Sequence, residues 1–374
     1  MNFPTPPLPT DYDSLLKRID SIDPIRYGKS RNFIDGAVTY LSPYISRGII
    51  STRQVYQAML AKGYKLYQIE KFASELAWRD YFQQVYRAIG PRLFTDIKQP
   101  QQLVAHHQLP LALQQASTGI EAIDAGIQHL YQTGYMHNHL RMYTASVTCN
   151  IGRAHWLQPG RWLYYHLLDA DLASNHCSWQ WVAGAFSSKR YFANQENINK
   201  YTGSRQLRSY LDTSYDLLPE LPVPAEWQAS TRFEPVTPLP PSDALPVLQS
   251  GQQVFLYHHY NLDPTWRADE DSLRILLLEP SHFQQHPLGQ RPLDFVLHWA
   301  RRISGLRVFT GEVAELATAM QTTTAQLNKQ AIYREHPAFG HWPGQADARP
   351  WLVPEVQGYF PSFFAYWKKV QQRL

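Results

Sequence analysis

The hydrophobic positions divide the chain into a helical part and a smaller part in which strands and helices alternate. Apolar residues recur at helical spacing through QVYQAML, IEKFASELAWRDYFQQVYRAI and TGIEAIDAGIQHLYQTGYMHN. After residue 246, the β-rich runs QVFLYHH, LRILLLE, LRVFTG and QAIYREH alternate with the helical patterns LDFVLHWARRI and EVAELATAM. This alternation predicts a mostly parallel sheet, and FFAYWKKVQQRL predicts a final helix.

A proline-rich stretch separates the two parts. Residues 216–246 contain eight prolines, which predicts an extended linker with little structure of its own. The first residues are also rich in proline and are followed by one short helical pattern, SLLKRI. We therefore predict an N-terminal extension at 1–24, a helical domain at 25–215, the linker, and a small α/β domain at 247–374.

Composition indicates a globular protein of two domains. Of the 374 residues, 44% are hydrophobic and 18% are charged, and no apolar run reaches membrane-spanning length. The N-terminus has no signal-peptide pattern, so we expect a cytoplasmic protein, and we expect a monomer. Cys149 and Cys177 are the only cysteines in the sequence, too few for a disulfide framework or four ligands to an iron–sulfur cluster.

Charge is distributed unevenly along the chain. Residues 1–210 hold 22 Lys+Arg against 14 Asp+Glu, a balance of +8, whereas the remainder holds 13 against 17. A basic N-terminal part fits a phosphate-binding surface, although a merely solubilising surface would look the same.

The stretch from Gln132 to Tyr191 combines charged and amide side chains with aromatic ones. Asn138, Arg141 and Met142 have the spacing of one helical face. Trp179 and Trp181 are two residues apart, about 200° around a helix, and must face different surroundings. Each residue alone is compatible with an ordinary core, but so many polar groups together need partners or ligands.

Another polar and aromatic group occurs earlier in the chain. Glu75, Trp78 and Arg79 also share one helical face, where Glu75 and Arg79 could form a surface ion pair. A tryptophan beside them indicates that a flat molecule is held there. Four histidines suggest a metal site, but no Cys or carboxylate joins them at ligand spacing, so we predict no metal; they are His106, His107, His137 and His139.

Four co-linear segments resemble the FAD-binding domain of class I DNA photolyases and cryptochromes. They are Ala37–Ser51, Ser74–Phe82, TGYMHNHLRM and DADLASNHCSWQW, and the resemblance covers roughly residues 25–205. It implies an all-helical domain with FAD as cofactor and UV-damaged DNA as partner. It also implies the activity of a deoxyribodipyrimidine photolyase, a carbon–carbon lyase that reverses cyclobutane pyrimidine dimers in blue light. The alternatives are a cryptochrome-like photoreceptor that binds FAD without repairing DNA, and a flavin-binding module without light chemistry.

The resemblance also implies roles for individual residues. Trp179 and Trp156 are implied as electron donors to FAD, and the position of a third, distal donor falls on Leu103. Val38 and Tyr40 replace a hydroxyl and a cation that the family often has, which predicts weaker phosphate binding. The implied lesion contacts are Glu75, Trp78, Asn138, Met142 and Trp181. The implied FAD contacts are Tyr27, Thr39, Leu41, Ser42, Arg79, Asn138, Arg141, Asp169, Asp171 and Asn175.

The C-terminal α/β segment resembles the antenna domain of photolyases, which normally precedes the FAD-binding domain. The ending GYFPSFFAYWKK is similar to the aromatic segment that closes such a domain. We therefore predict a permuted and reduced antenna-like domain, and the antenna chromophore is unknown at this point.

Overall fold

The chain folds into two compact units, neither of which is one contiguous segment. A computed structural model describes residues 3–4 and 7–374. The domain boundaries expected from the sequence, at residues 24, 215 and 246, stay a prediction. Unit 1 contains Asp23–Val38, Ala88–Glu234 and the described residues before Leu8; unit 2 contains Leu8–Ile22, Thr39–Arg87 and Pro235–Leu374.

Most regular structure is helical, and the helices predicted from apolar spacing are present. In chain order the α-helices are α1 (Tyr12–Asp20), α2 (Pro24–Ser30), α3 (Ser42–Ser46), α4 (Thr52–Ala61), α5 (Leu66–Ile89), α6 (Leu111–Gln115), α7 (Glu121–Thr133), α8 (Asn138–Ser146), α9 (Leu157–His166), α10 (Leu172–Ala183), α11 (Gln195–Thr202), α12 (Pro280–Gln285), α13 (Gln290–Ala300), α14 (Val313–Ala319), α15 (Thr324–Gln330) and α16 (Phe363–Gln371).

Unit 2 contains a five-stranded sheet in which every pair of neighbours is parallel. The strand order is β5-β4-β3-β6-β7, so β3 is central and is buried on both faces after its first residue. This confirms the predicted fold class, a mainly helical protein with a small, mostly parallel α/β part. The strands are β1 (Leu109–Pro110), β2 (Ser230–Thr231), β3 (Gln253–Tyr257), β4 (Ser272–Leu278), β5 (Leu306–Thr310), β6 (Ala331–Arg334) and β7 (Gln345–Asp347).

The core of unit 1 is built from α7, α8, α9 and α10. Helix α8 packs against both α7 and α10, and α9 packs against α10. Gly126 makes the first approach possible, because a Cβ there would lie 2.9 Å from Leu140 Cδ1. After α8 the chain continues as a π-helical turn at Val147–Ile151, and every residue of that turn is buried.

The first half of the predicted linker is more ordered than its prolines indicate. Ser230–Thr231 pairs antiparallel with Leu109–Pro110. Trp227 is fully buried and donates its indole N–H to the Tyr210 hydroxyl at 2.9 Å. Burying one large indole stabilises this segment by a few kcal/mol, enough to hold an extended chain in place. Residues 225–231 of the predicted linker are therefore anchored by tertiary contacts, although they form little regular structure.

Two further findings, on membrane-spanning helices and on metal sites, cover all the described residues. No helix within residues 3–4 and 7–374 is long and apolar enough to cross a membrane. Over the same residues, no group of three His, Cys, Asp or Glu side chains has the geometry to hold a metal ion.

Candidate functional site

Helix α8 carries predicted site residues on one face, as their spacing indicated. The Asn138 Nδ2 atom donates towards the Met142 sulfur at 4.0 Å, so these side chains touch. His137 caps the helix, because its Nδ1 accepts the backbone N–H of His139 at 3.1 Å. Burial lowers the pKa of each histidine to about 4, so both rings are neutral at neutral pH and add no positive charge beside Asn138.

Arg141 and Asp169 form the ion pair that the resemblance implies. Arg141 Nη1 donates to Asp169 Oδ2 at 3.0 Å and Nη2 donates to Oδ1 at 2.9 Å, a bidentate arrangement. Arg141 Nε also donates to the Met136 carbonyl at 2.8 Å, which fixes the guanidinium plane. The Asp169 carboxylate is only 4% exposed, so this pair is a rigid cation–anion unit rather than a loose surface contact.

Helix α10 begins at a side-chain cap and brings an amide into the buried part of unit 1. Asp171 is the N-cap, and its Oδ1 accepts the backbone N–H of Ser174 at 2.7 Å. One turn later, Asn175 Nδ2 donates to the Gly160 carbonyl at 2.9 Å. No hydrogen bond from the described residues reaches Asn175 Oδ1. The Asn175 amide oxygen is therefore a neutral acceptor on helix α10, and contact between Asn175 and the flavin stays a prediction.

Trp156 and Trp179 are buried neighbours. Trp156 is 0% exposed and Trp179 is 2% exposed. A Cβ at Gly160 would lie 3.4 Å from Trp179 Cγ and 3.7 Å from Trp156 Cε3, so both indoles are within van der Waals reach of one point on α9. Trp181 is 38% exposed, which agrees with the different surroundings predicted for it. The adjacency suits electron transfer from Trp156 to Trp179, and that role stays a prediction.

Helix α5 holds Glu75, Trp78 and Arg79, but their partners differ from the sequence prediction. Glu75 Oε1 pairs with Lys71 Nζ at 3.0 Å, one turn earlier, rather than with Arg79. Arg79 Nη1 instead donates to the Ser46 hydroxyl at 3.0 Å. The Trp78 ring is stacked on Phe363, with centroids 3.8 Å apart and planes inclined by 10°. Phe363 is a contact that the local sequence pattern could not reveal.

The segment around Thr39 starts a short helix without a side-chain cap. Helix α3 is five residues long, and Leu41 occupies its N-cap position. Thr39 Oγ1 accepts the Leu41 backbone N–H at 3.3 Å, and Tyr40 has a positive φ of 56°. The segment is therefore a loop that enters a helix at Ser42. Phosphate binding by this segment, and flavin contact by Tyr27 on α2, remain predictions.

The distal electron donor expected about fifty residues before Trp156 has no ring at the predicted place. Leu103 lies in a loop with a positive φ of 57° and is 51% exposed. Trp156 instead donates its indole N–H to Asp96 Oδ1 at 2.6 Å. His155 and Asp96 also approach each other, at 3.3 Å between Nε2 and Oδ1. No sequence motif identifies Asp96, which precedes the tryptophan by a long stretch of chain.

The predicted site residues are divided between the two units. Unit 1 holds Tyr27, Asn138, Arg141, Met142, Trp156, Asp169, Asp171, Asn175, Trp179 and Trp181; unit 2 holds Thr39, Leu41, Ser42, Glu75, Trp78 and Arg79.

Comparison with known proteins finds one family that is similar to part of the chain. Residues 72–228 match the family model described as the FAD binding domain of DNA photolyase. This segment, which is less than half of the chain, is therefore similar to the FAD-binding domain of the photolyase/cryptochrome family. This confirms the resemblance drawn from the sequence motifs, and the matched residues include α8, α9 and α10.

Photolyases and cryptochromes are also found among the individual relatives. A deoxyribodipyrimidine photo-lyase of Alkalihalophilus pseudofirmus is 35% identical over 38% of this chain and 30% of its own length. A cryptochrome DASH of Danio rerio is 31% identical over 44% of this chain and 33% of its own. The match thus spans about a third of the length of these curated relatives. Among solved structures, a class III photolyase from Agrobacterium tumefaciens is 27% identical over 50% of this chain and 43% of its own, with a TM-score of 0.42.

Proposed function

We propose that this protein binds FAD and uses blue light to reverse cyclobutane pyrimidine dimers in DNA. Fully reduced FAD, when bound and excited, supplies the electron that opens the dimer and takes it back afterwards. The match of residues 72–228 to the family's FAD-binding domain supports the cofactor. Two groups in unit 1 are chemically suited to an anionic reduced flavin. They are the neutral amide of Asn175 and the Arg141–Asp169 pair, whose opposite charges cancel.

The protein's own residues bind and orient the cofactor and the damaged bases, and they exclude water from the site. In this proposal the Arg141 cation offsets the charge of the reduced cofactor, while Asp169 limits the cost of burying that cation. Asn175 would offer the bound flavin an amide oxygen as a hydrogen-bond acceptor, and an amide carries no acidic proton. Glu75 accepts hydrogen bonds from the damaged bases, and Trp78 and Trp181 stack on them. A dimer is unstacked and poorly paired, so flipping it out of a duplex costs less than flipping normal bases.

The observation that favours repair over light sensing is the Asn138–Met142 contact. Asn138 lies exposed at the first turn of α8 with its amide on the Met142 sulfur. By the resemblance, these two residue types are typical of the enzymes that repair cyclobutane dimers. An amide next to a polarizable thioether presents a neutral surface with both hydrogen-bonding and apolar character, which suits a pyrimidine pair.

A second candidate function is that of a photoreceptor that binds FAD without repairing DNA. One observation favours it. Phe363 covers one face of Trp78, which leaves less of that ring open to a damaged base. In this alternative, photoreduction of FAD through Trp179 and Trp156 is the signal itself, and damaged DNA is not a substrate.

The test has two stages. First, the purified protein is denatured and the released chromophore is identified; FAD supports the cofactor proposal, whereas FMN, or no flavin after reconstitution, contradicts it. Second, chemically pre-reduced protein is mixed with an oligonucleotide that carries one thymine dimer and kept in blue light or in the dark. Light-dependent loss of the dimer supports repair. Flavin photoreduction without dimer loss supports the photoreceptor.

A further inference from the structure

The hydrogen-bond partner of the Trp156 indole is a carboxylate with access to solvent. Trp156 is completely buried, and its Nε1 donates to Asp96 Oδ1 at 2.6 Å. Its backbone N–H donates to Gln101 Oε1 at 2.9 Å. The Asp96 side chain retains 22% exposure, so the carboxylate connects a buried indole to the surface of unit 1.

Asp96 is held in place by a backbone hydrogen bond and lies beside a histidine. Its Oδ2 accepts the Gln101 backbone N–H at 2.8 Å, which orients the carboxylate towards Trp156. His155 Nε2 lies 3.3 Å from Asp96 Oδ1, and burial lowers the pKa of the His155 ring. The exposed His107 ring stacks on His155 at 4.6 Å and continues the polar path outward.

An indole–carboxylate hydrogen bond by itself has a structural explanation. In unit 2, Trp351 Nε1 donates to Glu335 Oε1 at 3.1 Å, in a part of the chain to which no electron transfer is assigned. Elsewhere in unit 1, Trp162 and Trp227 donate to tyrosine hydroxyls. What sets Trp156 apart is that it has a carboxylate partner and also lies near Trp179, the proposed donor closest to FAD: Trp156 Cε3 and Trp179 Cγ are 3.7 Å and 3.4 Å from the same point, the place of a Cβ at Gly160.

We propose that Asp96 accepts the indole proton when Trp156 is oxidised, which makes Trp156 the last electron donor of this chain. The inference rests on the proposed photoreduction of FAD through Trp179. In the step, one electron leaves the Trp156 ring and refills oxidised Trp179, which has itself given an electron to FAD. The Nε1–H bond breaks, its proton forms a bond to Asp96 Oδ1, and a neutral indolyl radical remains beside a carboxylic acid.

This proton transfer has a direct consequence for the missing distal ring. An indole radical cation is readily refilled by the electron it has lost, but a neutral radical is refilled only together with a proton. Asp96 therefore keeps the radical at Trp156. A third aromatic ring would otherwise give its electron to Trp156 and so move the radical further from FAD. An exogenous thiolate then supplies one electron and becomes a thiyl radical, the proton returns from Asp96 Oδ1 to Nε1, and Trp156 and the Asp96 carboxylate are both restored.

The experiment compares wild-type protein with Asp96→Asn, and with Glu335→Gln as the matched control. The control also removes a carboxylate partner of an indole, but in unit 2. After a light flash, transient absorption separates cationic from neutral tryptophan radicals, while flavin content and thermal melting check that each variant is loaded and folded. We expect Asp96→Asn to slow deprotonation of the radical by about 100-fold, the lower end of what a positioned base contributes. Glu335→Gln should behave as wild type.

A second measurement does not depend on the variant's folding. Light-induced infrared difference spectra of wild-type protein with isotope-labelled aspartate should show a carboxylic acid band forming as the neutral radical appears. A neutral radical formed at the wild-type rate in Asp96→Asn, or no aspartic acid band in wild type, overturns the role of Asp96 alone. Absence of any tryptophan radical from flavin-loaded wild type overturns the proposed photoreduction, and this inference with it.

Discussion

The indole of Trp78 and the phenyl ring of Phe363 form a parallel stack with a centroid separation of 3.8 Å. Phe363 is 6% exposed, whereas the adjacent Phe364 is 80% exposed. The two neighbours on α16 thus form a matched pair for mutagenesis. The buried ring holds one face of Trp78, and only the remaining surface of that indole is open to another molecule.

Phe363→Ala should therefore lower the free energy of unfolding by about 3 kcal/mol, the usual cost of removing a buried phenyl ring. Phe364→Ala should change it by less than about 0.5 kcal/mol, as expected for an exposed position. Chemical denaturation monitored by tryptophan fluorescence measures both. Equal effects of the two substitutions would show that the stack contributes little to stability.

The bidentate pair in unit 1 predicts a strongly non-additive double variant. Arg141→Met should cost about 3–5 kcal/mol, because the nearly buried Asp169 carboxylate loses its principal counter-charge. Arg141→Met with Asp169→Leu should recover most of that loss, since an apolar pair of similar size needs no desolvated charge. The exposed Arg205→Ala is the control and should be close to neutral. Additive losses in the double variant would contradict this account.

Acid should destabilise the protein as the pH falls below about 6.5, because buried histidines stay neutral in the folded state. Burial lowers the pKa of His137 to about 4 and that of His258 to about 3, against 6.5 for an unfolded histidine. Between about pH 6.5 and those values the unfolded chain binds protons that the folded chain does not, so stability falls as the pH is lowered. The slope approaches about 1.4 kcal/mol per pH unit for each such histidine.

Melting temperatures measured from pH 7.5 to 4.5 test this prediction. Both rings accept backbone N–H groups through Nδ1, His137 from His139 and His258 from Tyr260, so protonation would also break these bonds. His137→Gln should flatten the pH profile, whereas substitution of the exposed His107 should not. A profile that is flat in wild type across this range would contradict the assignment of neutral buried rings.

Periodicity and capping rules explain which of these features were predictable. The shared face of Asn138 and Met142 follows from residues four apart on a helix, and the Asp171 cap follows from an acidic residue before an apolar run. The alternating pattern after residue 246 also contained enough information for the parallel sheet. These features depend on residues that are close together along the chain, so the sequence alone is enough to predict them.

Contacts between distant segments were not predictable in the same way. The Trp78–Phe363 stack, the Trp156–Asp96 hydrogen bond and the burial of Trp227 depend on tertiary packing, which carries no local signature. Lys71 and Arg79 each lie one helical turn from Glu75, so spacing allows an ion pair with either. Glu75 pairs with Lys71, and Arg79 donates to Ser46, a partner that only the folded structure reveals. Helical spacing defines the candidates for a pair but not the choice among them.

DNA binding should be electrostatic and selective for damage. Affinity for a dimer-containing oligonucleotide should fall linearly with salt on a logarithmic scale, because phosphate contacts release counterions. Trp78→Ala should weaken binding to damaged DNA by about 1–3 kcal/mol, the value of one stacked base, and leave binding to undamaged DNA nearly unchanged. Tyr67→Ala removes an aromatic ring that is 80% exposed on the same helix and serves as the control. Equal losses for both DNAs would exclude Trp78 as a lesion platform.

The most direct measurement is blue-light repair of a thymine dimer by protein whose flavin has been chemically reduced beforehand. In the proposed function, Glu75 contacts the lesion, whereas Trp179 only supplies electrons to oxidised flavin. Pre-reduced Glu75→Ala should therefore repair much more slowly than wild type, while pre-reduced Trp179→Phe should repair at nearly the wild-type rate although its photoreduction is lost. Phenylalanine keeps most of the ring volume, so the packing around Gly160 should survive. Failure of flavin-loaded, pre-reduced wild type to repair the dimer in light would contradict the central claim, and loss of repair in pre-reduced Trp179→Phe would contradict the division of roles.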